Sequence, residues 1–195
     1  FCHNNVCYGD RPMSTLKVEN IQHTNGTNAM TIDSSGIVSK PATPSWILLG
    51  IPNNIGSGDV IGWGQQSFDP GTQSQTNGGV TFSGSQTIQV PKAGLYQINL
   101  VFKWRAAASS EIYMLLQGST DNFSTSYAHG ADSNNGYIII QEFHDHGTEW
   151  ITNSWSGIIN CTANEYLRVK QSSSVSITVP NNDANGGMWS GYYIG

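Results

Sequence analysis

Apolar and polar side chains alternate without a break along residues 94–104, in the middle of the chain. The even-numbered positions are aromatic or aliphatic: Tyr96, Ile98, Leu100, Phe102 and Trp104. The other parity carries polar residues, namely Gln97, Asn99 and Lys103. Because successive side chains of a β-strand point to opposite faces, this period of two predicts one long strand in a sheet with one buried face.

Shorter runs of the same kind recur along the chain, separated by turn clusters such as Asp69-Pro70-Gly71 and Asn134-Asn135-Gly136. They predict strands at residues 46–49, 60–63, 76–82, 87–90, 94–104, 111–117, 137–143, 150–161, 165–170, 175–179 and 188–194. A helical spacing fits only short runs such as 162–170, which fits a strand equally well. About eight to eleven strands without a helix predict an all-β jelly-roll sandwich.

Two of these strands also resemble a known family. The Gly94-Leu95-Tyr96 start of the central strand and the closing phrase Trp189-Ser190-Gly191-Tyr192 resemble the jelly roll of the tumour necrosis factor ligands and of the globular head of complement component one-q. The resemblance spans residues 46–195, and it implies a homotrimer with aromatic side chains in the core or around the three-fold axis. The residues it singles out for these places are Tyr96, Phe102, Trp104, Trp189 and Tyr192.

Residues 14–44 follow a different pattern, in which short alternating runs are separated by turns such as Asn25-Gly26. Too few apolar residues are present for a core, so we expect this segment to be stable only against copies of itself or a larger body. Residues 16–38 resemble the short module that precedes the distal domain in bacteriophage tail-fibre and head-fibre proteins. An ordinary β-linker is the alternative.

Pro41 and Pro44 indicate a boundary, because proline lacks the N–H that a strand ladder needs. We therefore predict an N-terminal extension or anchor at residues 1–13, a short β-structured fibre stem at 14–44 and a jelly-roll knob at 45–195. Of the three cysteines, Cys2 and Cys7 are spaced to close a small loop, whereas Cys161 lies in an apolar strand and is predicted to be a buried thiol.

The composition excludes some classes of partner. Charged residues make up 11% of the chain, which has only eight Lys and Arg and a net charge of -5. Nucleic-acid binding needs clustered cations, so we expect no nucleic-acid partner. No apolar run approaches the ~20 residues needed to cross a bilayer, and no charged-then-apolar leader is present. We expect neither membrane insertion nor a secretion signal.

One cluster has the character of a metal site. His144 and His146 follow an apolar run and share one face if the strand continues, so both imidazoles can reach one ion. A homotrimer would supply six such nitrogens around its axis, and this trimer-axis metal ion is the one cofactor considered. The alternative is a solvated loop end. We predict no enzyme activity, because no Gly-x-Ser-x-Gly elbow is present and nearby carboxylates at a strand end are usually solvated.

The aromatic residues suggest a further site. Exposed Trp and Tyr beside amides are typical of carbohydrate-binding surfaces, and the candidates are Trp63, Trp104, Trp150, Trp155, Trp189, Tyr127, Tyr192 and Tyr193. The alternative is that each ring lies in the core or in a subunit interface.

The two resemblances together predict a structural virion protein, a tail or head fibre or its distal knob, from a bacteriophage. Its expected location is the virion, and its expected partners are its own copies, other virion proteins of the capsid or tail, and a host-surface glycan or protein. Loops 121–126 and 129–136, expected at the free end, are the candidates for attachment. The alternatives are a capsid decoration protein without receptor binding and a secreted complement-like or cytokine-like binding module.

Overall fold

The computed structural model describes residues 2–3, 6–7, 20–22, 28–32, 34–39, 43–50, 54–63, 75–106, 110–124, 137–144, 149–180 and 186–195. The chain divides into two compact units, Phe1–Pro41 and Ala42–Gly195. The strands are β1 Cys2–His3, β2 Val6–Cys7, β3 Asn20–Gln22, β4 Asn28–Ile32, β5 Val38–Ser39, β6 Ser45–Leu49, β7 Asn54–Ile55, β8 Gln75–Asn77, β9 Thr81–Ser83, β10 Thr87–Gln89, β11 Gly94–Trp104, β12 Ser110–Ser119, β13 Tyr137–His144, β14 Ile151–Cys161, β15 Tyr166–Gln171, β16 Ile177–Thr178 and β17 Gly187–Tyr193.

The first unit contains two small antiparallel sheets. Strands β1 and β2 pair so that Cys2 lies opposite Cys7, and β3, β4 and β5 form a three-stranded meander. Gly36 has a φ of 78° in the turn before β5, where an L-residue would be strained. None of the side chains described in this unit is buried, and Ile21 and Ile37 are exposed. The described part of the unit therefore has no closed core. The three-part division at residues 13 and 44 stays a prediction.

The second unit is a sandwich of two five-stranded sheets. Sheet I has the order β14-β11-β17-β6-β8, and sheet II has the order β13-β12-β15-β10-β9. All the pairings in both sheets are antiparallel. No two neighbours in sheet I are consecutive in the chain, and sheet II has two consecutive pairs, β12 with β13 and β9 with β10, joined through β15. Such crossovers are typical of a jelly roll, and the described residues include no α-helix. The predicted fold class is confirmed.

The core lies between the two sheets. From Tyr96 to Trp104 the buried and half-buried positions of β11 alternate as the sequence predicted, and the buried set faces side chains of sheet II such as Met114 and Val169. The aromatic rings of Trp63, Trp189 and Trp46 contact one another in series, with centroids 5.7 and 5.9 Å apart. Aromatic side chains therefore supply much of the apolar area that stabilises the sandwich.

Two predicted strands differ in the structure. Residues 60–63 pair through one isolated bridge at Val60, after which Ile61 and Trp63 donate backbone hydrogen bonds to two different segments. Ile61 and Trp63 are buried at alternate positions, so the sequence has the alternation typical of a strand although these residues form no continuous ladder. The predicted strand 76–82 is broken at Gly78 and Gly79, which have φ of 61° and 85°. The two halves, β8 and β9, belong to different sheets.

The backbone defines a proximal end of the second unit, where the chain enters from residue 43. There the carbonyl of Pro44 accepts a 2.8 Å hydrogen bond from the N–H of Tyr193, at the last residue of β17. The turns at 91–93 and 162–165 lie at the same end, because Val90 donates its N–H to the carbonyl of Glu165. Strand β12 also ends there, with Ser119 paired to Tyr166.

The distal end is at the opposite ends of the same strands. Gly50 follows β6 and donates its N–H to the carbonyl of Gly187, at the start of β17. Arg105 follows β11 and pairs with Thr178, while Trp150 directly precedes β14. Gly50, Arg105 and Trp150 therefore lie at the end of the second unit opposite to Pro44.

The buried groups Tyr96 and Cys161 both hold their protons unusually tightly. Burial first, and then the Cys161 charge, raise the pKa of Tyr96 to about 12. Its hydroxyl donates a 3.0 Å hydrogen bond to the carbonyl of Lys92. Burial, followed by the nearby Glu165, raises the pKa of the Cys161 thiol above its usual 9.0. The prediction of a buried Cys161 is confirmed.

We expect the folded state to lose stability between about pH 9 and 12. The unfolded chain releases these protons near the ordinary values of 9.0 and 10.0, whereas the folded chain retains them to higher pH. The free energy of unfolding should therefore fall with rising pH, by at most about 1.4 kcal/mol per pH unit for each group. Urea denaturation at a series of pH values measures this slope. Tyr96→Phe should make the fall shallower above pH 10, and an unchanged slope in that variant would contradict the assignment.

Candidate functional site

One face of sheet I packs on the core. The other face, called here the open face, carries the side chains of every second residue in each strand, which point away from the core. Every described side chain of the open face is uncharged between Leu95 and Val101 of β11 and at the positions of β14 and β17 that pair with them. Three apolar side chains on it are strongly exposed: Ile158 by 57%, Tyr192 by 48% and Leu95 by 43%. A large exposed apolar patch marks a protein contact more often than a single exposed side chain does.

Hydrogen bonds between side chains organise the polar part of the open face. The amide of Gln97 donates to the hydroxyl of Ser156 at 2.7 Å, and that hydroxyl donates to the amide oxygen of Asn99 at 2.8 Å. The chain of bonds crosses from β11 to β14 and uses no charged group. An uncharged surface with exposed aliphatic and aromatic groups matches the depletion of charge at the centre of protein interfaces.

The structure explains the aromatic-Ser-Gly-aromatic motif in the last strand, β17. Trp189 is fully buried, and Ser190 and Tyr192 project on the open face. A Cβ at Gly191 would meet the ring of Trp46, on the paired strand β6, at 2.4 Å. Glycine is therefore required where one tryptophan ring lies across the neighbouring strand.

A second candidate surface lies at the distal end. The Arg105 guanidinium carbon is 4.6 Å from the centroid of the Trp150 ring, and the Lys103 ammonium is 6.0 Å from it. Trp150 is 40% exposed, and Thr152 beside Lys103 is also exposed. These four residues, Lys103, Arg105, Trp150 and Thr152, are called here the distal cluster. It combines an aromatic ring, two cations and a hydroxyl.

A third group of polar residues lies on the outer face of sheet II. Glu111 accepts a hydrogen bond from Gln141 at 3.1 Å and another from Tyr113. These bonds, the one from Tyr113 first, lower the pKa of Glu111, and the same contact raises the pKa of Tyr113. Phe143, paired with Glu111, is 59% exposed. The group presents a fixed carboxylate beside an exposed ring.

The turn that follows β12 is held by a buried hydroxyl. Ser119 donates to the carboxylate of Asp121 at 2.8 Å and accepts from the N–H of Phe123 at 2.8 Å. Asn122 and Phe123 both have positive φ, 55° and 62°, and the Phe123 ring packs 3.8 Å from the guanidinium carbon of Arg168. Two consecutive left-handed non-glycine residues are strained, and such strain persists only where the surroundings impose it.

This turn changes the expectation for the attachment loops. Residues 121–124, the described part of the predicted loop 121–126, lie at the proximal end with Pro44, and not at an end away from the point where the chain enters. The sequence does not reveal this, because the end of a sandwich that a loop occupies depends on strand pairing. Residues 125–136, which include Tyr127 and the loop 129–136, lie outside the described residues.

The predicted aromatic residues divide into two groups. Tyr96, Phe102, Trp104 and Trp189 are fully buried between the sheets, whereas Tyr192 is exposed on the open face. Of the other candidate rings, Trp63 is buried, Trp155 and Tyr193 are half-buried and Trp150 is exposed. Sequence reasoning did not find Ile158, although its position on the polar parity of β14 was a usable signal.

The predicted metal ligands fall largely outside what is described. His144 is the last residue of β13, its side chain is not among those described, and His146 lies outside the described residues. In the described ranges, no group of three or more His, Cys, Asp or Glu is placed to hold a metal ion. The same ranges include no helix long and apolar enough to span a bilayer. The metal site stays a prediction.

Comparison with known proteins identifies the fold. No protein-family model matches the chain, and no curated protein matches it. Among solved structures, the crystal structure of murine APRIL at pH 5.0 superposes with a TM-score of 0.53 at 9% identity, covering 78% of this chain and 99% of that one. The fold is a jelly roll like that of APRIL. At this identity the similarity is one of fold, which agrees with the resemblance to tumour necrosis factor ligands.

Proposed function

We propose that this chain is a homotrimeric jelly-roll module of a bacteriophage fibre, located in the virion, and that it attaches the particle to a host surface. The open face of sheet I is the observation that carries the proposal, because an uncharged, partly apolar sheet face needs a protein partner. The fold, shared with murine APRIL, is compatible with a binding module of this kind.

A second copy of the same chain suits the open face best. Closed rotational symmetry brings the same patch of each subunit to a common axis, where charge would repeat and repel. The part of the open face between Leu95 and Val101 avoids this repulsion, because its side chains carry no charge. Obligate interfaces commonly bury more than ~2,000 Å², which calls for a surface as broad as a sheet face. The resembling jelly rolls pack around a three-fold axis, which favours a trimer over a dimer.

The N-terminal leader, defined as residues 14–44, supports the assignment to a virion. Residues 16–38 resemble the fibre module, and the exposed Ile21 and Ile37 indicate a unit that gains stability from other chains. We propose that host contact uses the distal end of the sandwich, and that other virion proteins contact the leader. The proposal needs neither enzyme activity nor a cofactor.

Two other readings remain alternatives to host attachment. A capsid decoration protein would use the same trimer without a receptor, and a secreted complement-like or cytokine-like module would use the same fold. The fibre-like phrase in the leader favours the virion over the secreted ligand. The distal cluster, with its exposed aromatic ring and two cations, favours attachment over decoration.

Deleting residues 14–41 should abolish incorporation into particles while leaving a folded, trimeric second unit. The expected reason is that Ala42–Gly195 is a compact unit with its own core, whereas the leader is the proposed link to the particle. Incorporation is measured by complementing a phage that lacks the gene. The truncated trimer should bind host cells and compete with intact virus. Folded trimer that binds no cells would favour decoration, and an unfolded product would contradict the division into two units.

A further inference from the structure

We propose that a group of four residues on the outer face of sheet II binds an amino sugar, such as glucosamine, through its ammonium group and its ring face. The residues, called here the sheet II group, are Glu111, Tyr113, Gln141 and Phe143. The inference deepens the proposed function and rests on it for its biological meaning, because it names the chemical class of the host-surface ligand. Binding itself is measured on the isolated protein.

The register of β12 and β13 brings the four side chains of the sheet II group together. Glu111 pairs with Phe143 across the two strands. Tyr113 pairs with Gln141 in the same way. Residues two apart on a strand share a face, and the Cβ atoms of directly paired residues are about 4.5–5.5 Å apart. The four side chains therefore form one compact block, and the hydrogen bond from Gln141 to Glu111 crosses its diagonal.

The carboxylate of Glu111 is exposed but held in place. The amide of Gln141 donates to it at 3.1 Å, and the hydroxyl of Tyr113 donates to it as well. These bonds, the one from Tyr113 first, lower the pKa of Glu111, so the group stays charged at mildly acidic pH. A carboxylate has about four acceptor sites, so about two remain for the N–H groups of an ammonium ion. A charge-assisted hydrogen bond of this kind is stronger than a neutral one.

The ring of Phe143 supplies the second half of the site. Phe143 is 59% exposed, whereas Phe102 in the core is fully buried. An exposed aromatic face can pack against the C–H face of a pyranose, and it attracts a cation within about 6 Å of its centroid. Since Phe143 is paired with Glu111, an amino sugar can cover the ring while its ammonium reaches the carboxylate. The amide oxygen of Gln141 can also accept from a sugar hydroxyl.

The charge around the sheet II group is negative. The charged side chains described on β12 and β13 are Glu111 and Glu142, and both are acidic. On the adjacent strand β15, Lys170 is buried and pairs with Leu115, about 14 Å along β12 from Glu111. Arg168 lies farther along β15, at about 20 Å from Glu111. Even with Lys170 counted, the local balance is one negative charge, which favours a cationic ligand and disfavours an anionic one.

The position of the sheet II group suits contact with a host surface. Strand β12 ends at the proximal end with Ser119, and Glu111 lies about 27 Å back along the strand, near the distal end. The group lies on the outer side of sheet II, across the sandwich from the open face of sheet I. A trimer built on the open face therefore leaves the sheet II group accessible on each subunit.

The test is a ligand-observed saturation-transfer NMR titration of the full-length protein with three probes. The probes are a trisaccharide of glucosamine, the same trisaccharide fully N-acetylated, and trilysine, which carries amines without a sugar ring. At about pH 6 the amines and Glu111 are both charged. We expect the amino trisaccharide to bind about tenfold more tightly than either other probe, because it alone combines the ion pair with the ring contact. Equal binding of the acetylated sugar, or of trilysine, would overturn the proposal.

Two variants and a matched control locate the binding. Glu111→Gln should remove the preference for the amino sugar over its acetylated form, and Phe143→Leu should weaken the binding of both sugars. Glu149→Gln is the control, because Glu149 is also an exposed carboxylate next to an exposed ring, that of Trp150, and the change removes the same charge. It should leave binding unchanged. A preference that survives Glu111→Gln, or that is lost equally in Glu149→Gln, would overturn the site. Both Glu variants and Phe143→Leu change exposed side chains, and thermal melts check that they fold.

The result also separates the sheet II group from the proposed function. A wild-type protein that attaches to cells but has no affinity for the amino trisaccharide would overturn the sheet II group and leave the attachment function in place. Binding of the amino trisaccharide without any cell attachment would support the sheet II group and contradict the attachment function. Loss of both in Glu111→Gln, with the trimer intact, would support the site and the function together.

Discussion

Leu100→Asp is expected to abolish soluble, folded protein. Leu100 is 1% exposed at the centre of β11, where its register partners are Trp155 and Trp189 on the two adjacent strands. A carboxylate at this position would lie between the two sheets with no cation described nearby. Burying an unpaired charge costs several kcal/mol, a large share of the ~5 to 15 kcal/mol that keeps a domain folded. The soluble fraction after expression and the far-ultraviolet circular dichroism spectrum measure the effect.

The neighbouring substitution Asn99→Asp is the matched control. Asn99 is one residue away on the same strand, but it is half-buried on the open face. The variant should fold with a melting temperature close to that of the wild type, because the new carboxylate stays in contact with water. If both variants fold, or if neither does, the assignment of the two faces of β11 is wrong.

Ile158→Asp is expected to give a folded monomer. Ile158 is 57% exposed on the open face, so the change removes little buried area within one chain. In a trimer built on this face, the substitution would place three carboxylates around one axis, where like charges brought together cost several kcal/mol. The expected mass falls to the 21.1 kDa of one chain, with the thermal stability of the second unit retained. Light scattering coupled to gel filtration measures the mass.

Phe143→Asp is the matched control for Ile158→Asp. Phe143 is an apolar side chain of nearly equal exposure, 59%, but it lies on the outer face of sheet II. We expect this variant to keep the mass of the wild type. Dissociation of both variants would mean that the effect is unrelated to the open face. Retention of the trimer by Ile158→Asp would place the interface elsewhere.

The sequence predicted the sandwich well wherever the alternation of apolar and polar residues alone decides which side chains are buried. The alternation along Gly94–Trp104 assigned every buried residue of β11 correctly, because burial on one face of a strand is a local property. Parity did not distinguish residues 60–63 from a strand, since Ile61 and Trp63 are buried at alternate positions without a continuous ladder. The strand predicted over 76–82 runs through Asn77-Gly78-Gly79, which forms a turn, and the sequence did not show that the two halves belong to different sheets.

The candidate sites were less predictable, because they depend on pairing between distant segments. Trp150 and Arg105 come together through the β11–β14 ladder, and nothing near either residue in the sequence indicates the contact. Residues 121–126 were predicted as a loop, but only the register of Ser119 with Tyr166 places the described part, 121–124, at the proximal end. The composition identified many candidate aromatic residues. Of the candidates whose side chains are described, Trp150 and Tyr192 are the exposed ones.

The mass of the purified full-length protein in solution tests the central proposal most directly. Sedimentation equilibrium at micromolar concentration should give one species of about 63 kDa, three times the 21.1 kDa of the chain. An obligate interface of more than ~2,000 Å² should keep this species intact on dilution. A stable monomer of 21.1 kDa over the same concentration range would contradict the trimer, and with it the role assigned to the open face of sheet I.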